Sequence, residues 1–262
     1  MVFCQKLQKI SHYSNLSVKK NKSDFYMKFI LFLFFIIFSL SQSSAQKPEE
    51  YKKTYLKEYQ SAIDFLKTNQ KKFLGELGEN QGETEVMVSV VFPEMVRFSE
   101  VSNLLETASL EMLYVRFGAN YADFSIGRFQ MKPSFVEKME KYIEENKLHS
   151  LSEIHTYSQK EDKEIRQERI NRLKKLEWQL KYLRGFYEIT RHKFVDNWNS
   201  KEDKIRFFAA AYNRGFDNTQ QEIEKWINLR AFPFGVNYRG KQYIYAEICT
   251  YFYLKDYSII FN

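Results

Sequence analysis

Residues 209–216 read AAAYNRGF. The three alanines are small enough to let two helices approach closely. Tyr212 and Asn213 then present a phenol and an amide at one place. Gly215 permits the turn that follows, because glycine takes positive φ without a Cβ clash. The plain reading is a helix C-terminus capped by Asn and Gly. The sharper one is a helix pressed into a core so that Tyr212 and Asn213 face a cleft. Other parts of the chain decide between them.

Two stretches upstream bear on that cleft. Residues 92–99, FPEMVRFS, place Glu94 among Phe92, Met95, Val96 and Phe98. A carboxyl in apolar surroundings has a raised pKa, since desolvation disfavours its charged form. A general acid uses this to stay protonated near neutrality. Alternatively, Glu94 is a first-turn helix residue, or a partner for Arg97 at i+3. Residues 124–135, FSIGRFQMKPSF, are too aromatic for a surface loop. Gly127 lets the backbone take positive φ or approach a ligand. Gln130 offers donors and acceptors suited to sugar hydroxyls and amides. The alternative is a helix-entry turn held by Ser125, with Gly127 serving packing alone.

Around these stretches the pattern is helical. Residues 47–82 read as one or two lysine-rich amphipathic helices followed by a turn. Residues 84–99 are ambiguous: Val86, Val88 and Val90 alternate as in a strand, while Val91, Phe92, Met95, Val96 and Phe98 suit a helix. Residues 101–117 predict a helix capped by Gly118. Val136 to Asn146 predicts another. Residues 158–206 carry a charge run with Ile165, Ile170, Leu173, Leu176, Leu180 and Leu183 at three- and four-residue steps, which predicts a long amphipathic helix. Two more helices are expected after it, separated by Phe232–Gly235. Scarce Gly and Pro (9 and 4) exclude a loop-rich all-β fold and a disordered chain. The fold class is all-α.

The N-terminus governs the charge argument. Lys28 precedes an apolar run from Phe29 to Phe38, then Ser43-Ser44-Ala45. This is the layout of a secretory signal peptide over 1–45, with translation starting at Met1 or at Met27. The alternative is an uncleaved anchor, although the run is short of the ~20 residues a membrane span needs. The net charge of +7 is mostly carried by that leader, which holds six lysines and one aspartate. Nucleic acid is therefore not an expected partner, since such binding needs a basic face on the folded domain. Of the two cysteines, Cys4 leaves with the leader, and Cys249 lies in an apolar-aromatic run as a buried thiol. Four scattered histidines give no metal-ligand spacing.

Taken in order, an apolar-embedded Glu, then S-x-G-x-x-Q-x-x-P, then A-A-Y-N-x-G resemble the soluble lytic transglycosylases. Those enzymes share a lysozyme-like catalytic domain with goose-type lysozymes. The resemblance spans about residues 84–255, and it implies a lysozyme-like domain over 84–258 preceded by a helical extension over 46–83. It implies that Glu94 is the single catalytic acid/base. It likewise implies that Ser125, Gly127 and Gln130 hold the glycan and its N-acetyl groups, and that Tyr212 and Asn213 stand beside the acid. A further family tyrosine corresponds to Tyr245, with Tyr243 second. Met95 stands where the family has Ser. The implied reaction cleaves the β-1,4 bond between N-acetylmuramic acid and N-acetylglucosamine in peptidoglycan, leaving a 1,6-anhydro end. No cofactor or metal is implied.

Ordinary glycosidases use two carboxylates. Were Asp123 a second one, hydrolysis would be open; a turn or capping role is the preferred reading of Asp123. A non-catalytic peptidoglycan-binding or envelope scaffold protein is the rival class, with the charged helix 160–184 as a surface for envelope partners. Export to the periplasm or cell envelope is the expected location.

Overall fold

The ambiguous stretch is the central helix. In the computed structural model, which describes residues 48–78, 80–98, 104–195 and 198–261 (side chains of 81 and 104–107 excepted), Gln81–Phe98 forms a single helix. We call it α3, after α1 (Pro48–Thr54) and α2 (Leu56–Leu77). Val86, Met87, Val88, Val90, Val91, Phe92, Met95 and Val96 are all buried. A helix covered on every side loses its polar face, so its sequence shows no 3.6-residue stripe. That explains the mixed strand and helix signals. Pro93 lies inside this helix, where it removes the hydrogen bond otherwise directed at the Ser89 carbonyl.

The other helices are α4 (Leu104–Phe117), α5 (Pro133–Glu145), α6 (Ser152–His155), α7 (Asp162–Leu173), α8 (Leu176–Lys193) and α9 (Lys201–Arg214). Then follow α10 (Gln220–Trp226), α11 (Tyr245–Phe252), a π-helical turn at Tyr253–Tyr257 and α12 (Ser258–Phe261). The protein is mostly helical, as expected. Helices α9 and α11 pack on α3 and on each other. Phe92 of α3 stacks on Phe252 of α11 with ring centroids 3.9 Å apart. Ala209, Ala210 and Ala211 are buried on α9, so the small-residue stretch does serve close helix approach.

Helix α2 packs on α3, α8 and α12 and buries Tyr59, Leu66 and Phe73. The Tyr59 hydroxyl donates to Asp256 at 2.6 Å, and Lys52 of α1 donates to the same carboxylate at 3.0 Å. The helical segment expected as an extension therefore belongs to the same compact unit as the rest, Lys47–Asn262. The expected leader lies outside the described residues. Among the described residues, no helix is long and apolar enough to cross a membrane.

Two expectations need correction. The charge run over 160–184 is two helices, not one, separated at Lys174 and Lys175. No Gly or Pro marks the break. The Gln179 side chain, six residues on, donates to the Leu173 carbonyl at 2.8 Å and so satisfies the end of α7. Nor is the charged surface all solvated. Arg169 is buried, reaching Glu140 at 2.5 Å, Glu137 at 3.1 Å and the Tyr114 hydroxyl at 2.5 Å. Arg172 lies between the rings of Tyr157 and Trp178, 4.2 and 4.0 Å from their centroids. Secondly, the stretch between the last helices contains a small antiparallel pair, β1 (Arg230–Phe232) with β2 (Tyr243–Ile244).

If α2 is integral to the core, Phe73→Ala destabilises the protein by about 3–5 kcal/mol, because a fully buried ring leaves a cavity against Phe129 and Phe261. Urea denaturation measures this. A loss under about 1 kcal/mol would mean that α2 is a dispensable arm.

Candidate active site

Segment 124–132 is irregular because two peptide groups are taken out of any helix or strand. Ile126 and Met131 form an isolated bridge, and the residues between them turn tightly. Gly127 has φ +71° and Gln130 has φ +50°. A Cβ on Gly127 would lie 1.9 Å from Gln179 Nε2 and 2.8 Å from the Leu173 carbonyl oxygen. Only glycine fits here. The close approach is thus to the break between α7 and α8, not to a ligand.

The turn is pinned at one peptide unit on each side of Phe129. Its N–H donates to Gln179 Oε1 at 2.9 Å, and its carbonyl accepts the Tyr212 hydroxyl at 2.7 Å. Phe129 itself is buried, its ring edge-on to Phe73 at 5.9 Å. Phe135 packs on Tyr212, Phe186 and Phe216. Phe124 is half-buried against the same core. The aromatic residues of this segment are anchors.

A cleft opens where this segment faces α3 and α9. Glu94, Arg97, Ser125, Gln130, Tyr212 and Asn213 all line it. Five of the seven residues predicted for the site therefore come together. Gly127 and Tyr245 do not line the cleft. Tyr245 is buried on α11, where its hydroxyl donates to the Val90 carbonyl at 2.9 Å, one turn before Glu94. Tyr243, the second choice, donates to Thr54 at 3.1 Å.

Glu94 is 6 % exposed, so burial dominates its chemistry. Desolvation pushes its carboxyl up to about 7, against the opposing pull of Arg97 and Lys132. Arg97 Nη1 donates to Glu94 Oε2 at 3.4 Å, a long contact. Glu94 is thus embedded in apolar surroundings and also faces Arg97, but it lies near the end of α3 and is not a first-turn residue. Burial and the nearby Glu94 also push the phenols of Tyr212 and Tyr245 well up, so both stay neutral donors. Cys249 is buried, its thiol 3.6 Å from the Val90 carbonyl and likewise pushed up.

Asn213 accepts from Trp226 Nε1 at 2.8 Å, so its NH2 side is the part left to present to the cleft. Gln130 donates to the Gly127 carbonyl at 2.9 Å, while its buried Oε1 has no partner. A buried acceptor without a donor is costly, and a ligand N–H or O–H would satisfy it. Asp123 lines the cleft too, but it accepts from the Ser134 amide and hydroxyl at 3.2 and 2.8 Å and faces Lys132 at 3.5 Å. It caps α5.

Sequence reasoning missed Gln179, the residue that holds the turn. The available signal was a polar side chain on the apolar stripe between Leu176 and Leu183. Of the acids that follow Glu94 in the chain, Glu111 pairs with Lys174 at 2.7 Å and does not line the cleft. Glu100 and the Glu106 side chain lie outside the described residues. Among the described residues, no three His, Cys, Asp or Glu side chains gather as a metal site needs.

Glu94 makes stability pH-dependent with a known sign. Its folded pKa lies above the ordinary value of 4.5, so its ionisation destabilises the fold as pH rises from about 4.5 to about 7. Glu94→Gln should match wild type near pH 4.5 and exceed it by roughly 3 kcal/mol at pH 8. Urea denaturation at both pH values measures it; a pH-independent difference would remove burial as the cause. Separately, Gln179→Leu leaves the Phe129 amide and Leu173 carbonyl unpaired and should cost about 2–4 kcal/mol, read as a drop in Tm.

Compared with protein-family models, curated proteins and solved structures, the chain gives no match.

Proposed function

We propose that the chain is a peptidoglycan lytic transglycosylase with a lysozyme-like catalytic domain. The observation that carries this reading is Glu94: a buried carboxyl near 7, in the same cleft as Ser125, Gln130, Tyr212 and Asn213. A carboxyl poised at that value serves as acid and then as base near neutrality.

In the proposed cycle, protonated Glu94 donates to the glycosidic oxygen. The C1–O bond of the muramoyl residue breaks, and charge develops on its ring as an oxocarbenium-like state. The C6 hydroxyl of the same residue attacks C1, and its proton passes to the Glu94 carboxylate. A 1,6-anhydro end results, no water is consumed, and Glu94 is again protonated. Tyr212, a neutral phenol committed to the Phe129 carbonyl, holds the wall of the cleft. Gln130 Oε1 and the Asn213 amide suit N-acetyl and hydroxyl groups of the sugar. Tyr245 acts behind the acid, tying α11 to the helix that carries it. Gly127 shapes the turn.

The one-carboxylate route is preferred to hydrolysis because Asp123 is already held by Ser134 and Lys132. A second carboxylate positioning water would need to be freer. The leader-like residues 27–46 fit a substrate outside the cytoplasmic membrane.

The test is product analysis. The protein and its Glu94→Gln variant are incubated with purified peptidoglycan, and soluble fragments are read by mass spectrometry. Anhydro-ended fragments are expected, with the variant slower by roughly 10²–10⁴-fold. The rate should fall as pH rises above about 7, as the acid form of Glu94 is lost. Reducing ends would mean hydrolysis. Co-sedimentation without products would replace the enzyme with a binding protein.

A further inference from the structure

Arg97 is the cation of the cleft that lacks a settled counter-charge. Lys132 faces Asp123 at 3.5 Å, and Lys138 faces Asp217 at 2.8 Å. Arg214 lies over the Trp226 ring at 5.2 Å and near Glu222. Among the described residues, the carboxylate facing Arg97 is that of Glu94, at 3.4 Å. When Glu94 carries its proton, Arg97 faces a neutral group. Its Nε is buried and has no partner, and its guanidinium lies 5.8 Å from the Phe234 ring centroid. A buried donor on a charged group is costly to leave unmade. A guanidinium is also a fork that matches a carboxylate with two parallel bonds.

We propose that Arg97 binds a free carboxylate of the substrate and so selects an anionic saccharide. This rests on the glycan reading of the cleft. One helical turn separates Arg97 from the acid, so the carboxylate belongs to a sugar beside the bond that Glu94 protonates. In peptidoglycan that group is the lactyl carboxylate of muramic acid. It is free only where the stem peptide has been removed; otherwise it is an amide. The site thus prefers stripped glycan strands, and the reaction that supplies its substrate is hydrolysis of the lactyl–peptide amide.

The exchange of partners helps the acid. Around Glu94 stand Arg97 on its own helix, Lys132 from the turn segment, Tyr212 from α9, and Tyr245 and Cys249 from α11. The phenols and the thiol are neutral. Arg97 is the nearest positive charge, and engaging it with a substrate carboxylate removes its pull on the Glu94 proton. The proton then stays on Glu94 until the glycosidic oxygen takes it.

The experiment uses the full chain carrying Glu94→Gln, in which turnover is slowed. Two ligands are titrated by calorimetry: a muramic-acid-containing tetrasaccharide with free lactyl carboxylates, and the same oligosaccharide with those groups as methylamides. The free acid should bind about tenfold tighter or more. Adding Arg97→Met should erase that preference, and Arg97→Lys should keep part of it. Equal binding of the two ligands, or tighter binding of the methylamide, overturns the proposal and leaves the glycan reading standing. So does an Arg97→Met loss that is the same for both ligands, which marks a structural role. Binding of neither ligand, with no products from peptidoglycan in the wild type, overturns both.

Discussion

The peptide group on either side of Phe129 is the point on which the cleft depends. Gln179 takes its N–H and Tyr212 takes its carbonyl, and these come from two different helices. A backbone unit outside regular structure needs such partners, or its burial costs more than the fold can offset. The same two bonds hold the segment that brings Ser125 and Gln130 to the cleft Glu94 lines. They also require Gly127, because the turn must press against the end of α7. Removing any one of these groups disturbs the others, so the cleft wall behaves as one unit.

Glu94 depends on a second arrangement. Its helix is enclosed by α2, α9 and α11, and enclosure leaves the carboxyl little water. Pro93 precedes it directly, in a turn whose backbone bonding is already incomplete. The Tyr245 hydroxyl and the Cys249 thiol meet the Val90 carbonyl in this same turn. A helix weakened internally is thus held from outside by α11. The aromatic stack of Phe92 on Phe252 acts in the same direction.

Much of this was legible in the sequence, and the reason differs by element. Half-buried helices such as Val136–Asn146 carry a stripe and could be read directly; the chain adds one turn at Pro133 and ends at Glu145. The three short stretches pointed to residues that do share a cleft, because Glu among apolar neighbours and Gln beside Gly are locally unusual. Other features stayed hidden. The break at Lys174–Lys175 has no Gly or Pro, and Gln179, which reaches back to the Leu173 carbonyl, reads only as one polar residue on an apolar stripe. Gly127 was open to two readings, and its neighbours favour packing. Tyr245, expected as the further family tyrosine that meets substrate, does not line the cleft, and its hydroxyl is held by the Val90 carbonyl. The β pair has only three and two residues, too short for alternation to register.

The enclosure of Glu94 has a consequence for the medium in which the protein works. Dissolved ions screen exposed charges over roughly a Debye length, but they reach a buried group poorly. The proton affinity of Glu94 is set mainly by the side chains packed around it. It should therefore drift little between dilute and salty surroundings, whereas the surface pairs along α5 and α8 weaken. A carboxyl tuned by packing keeps one working range across ionic strengths.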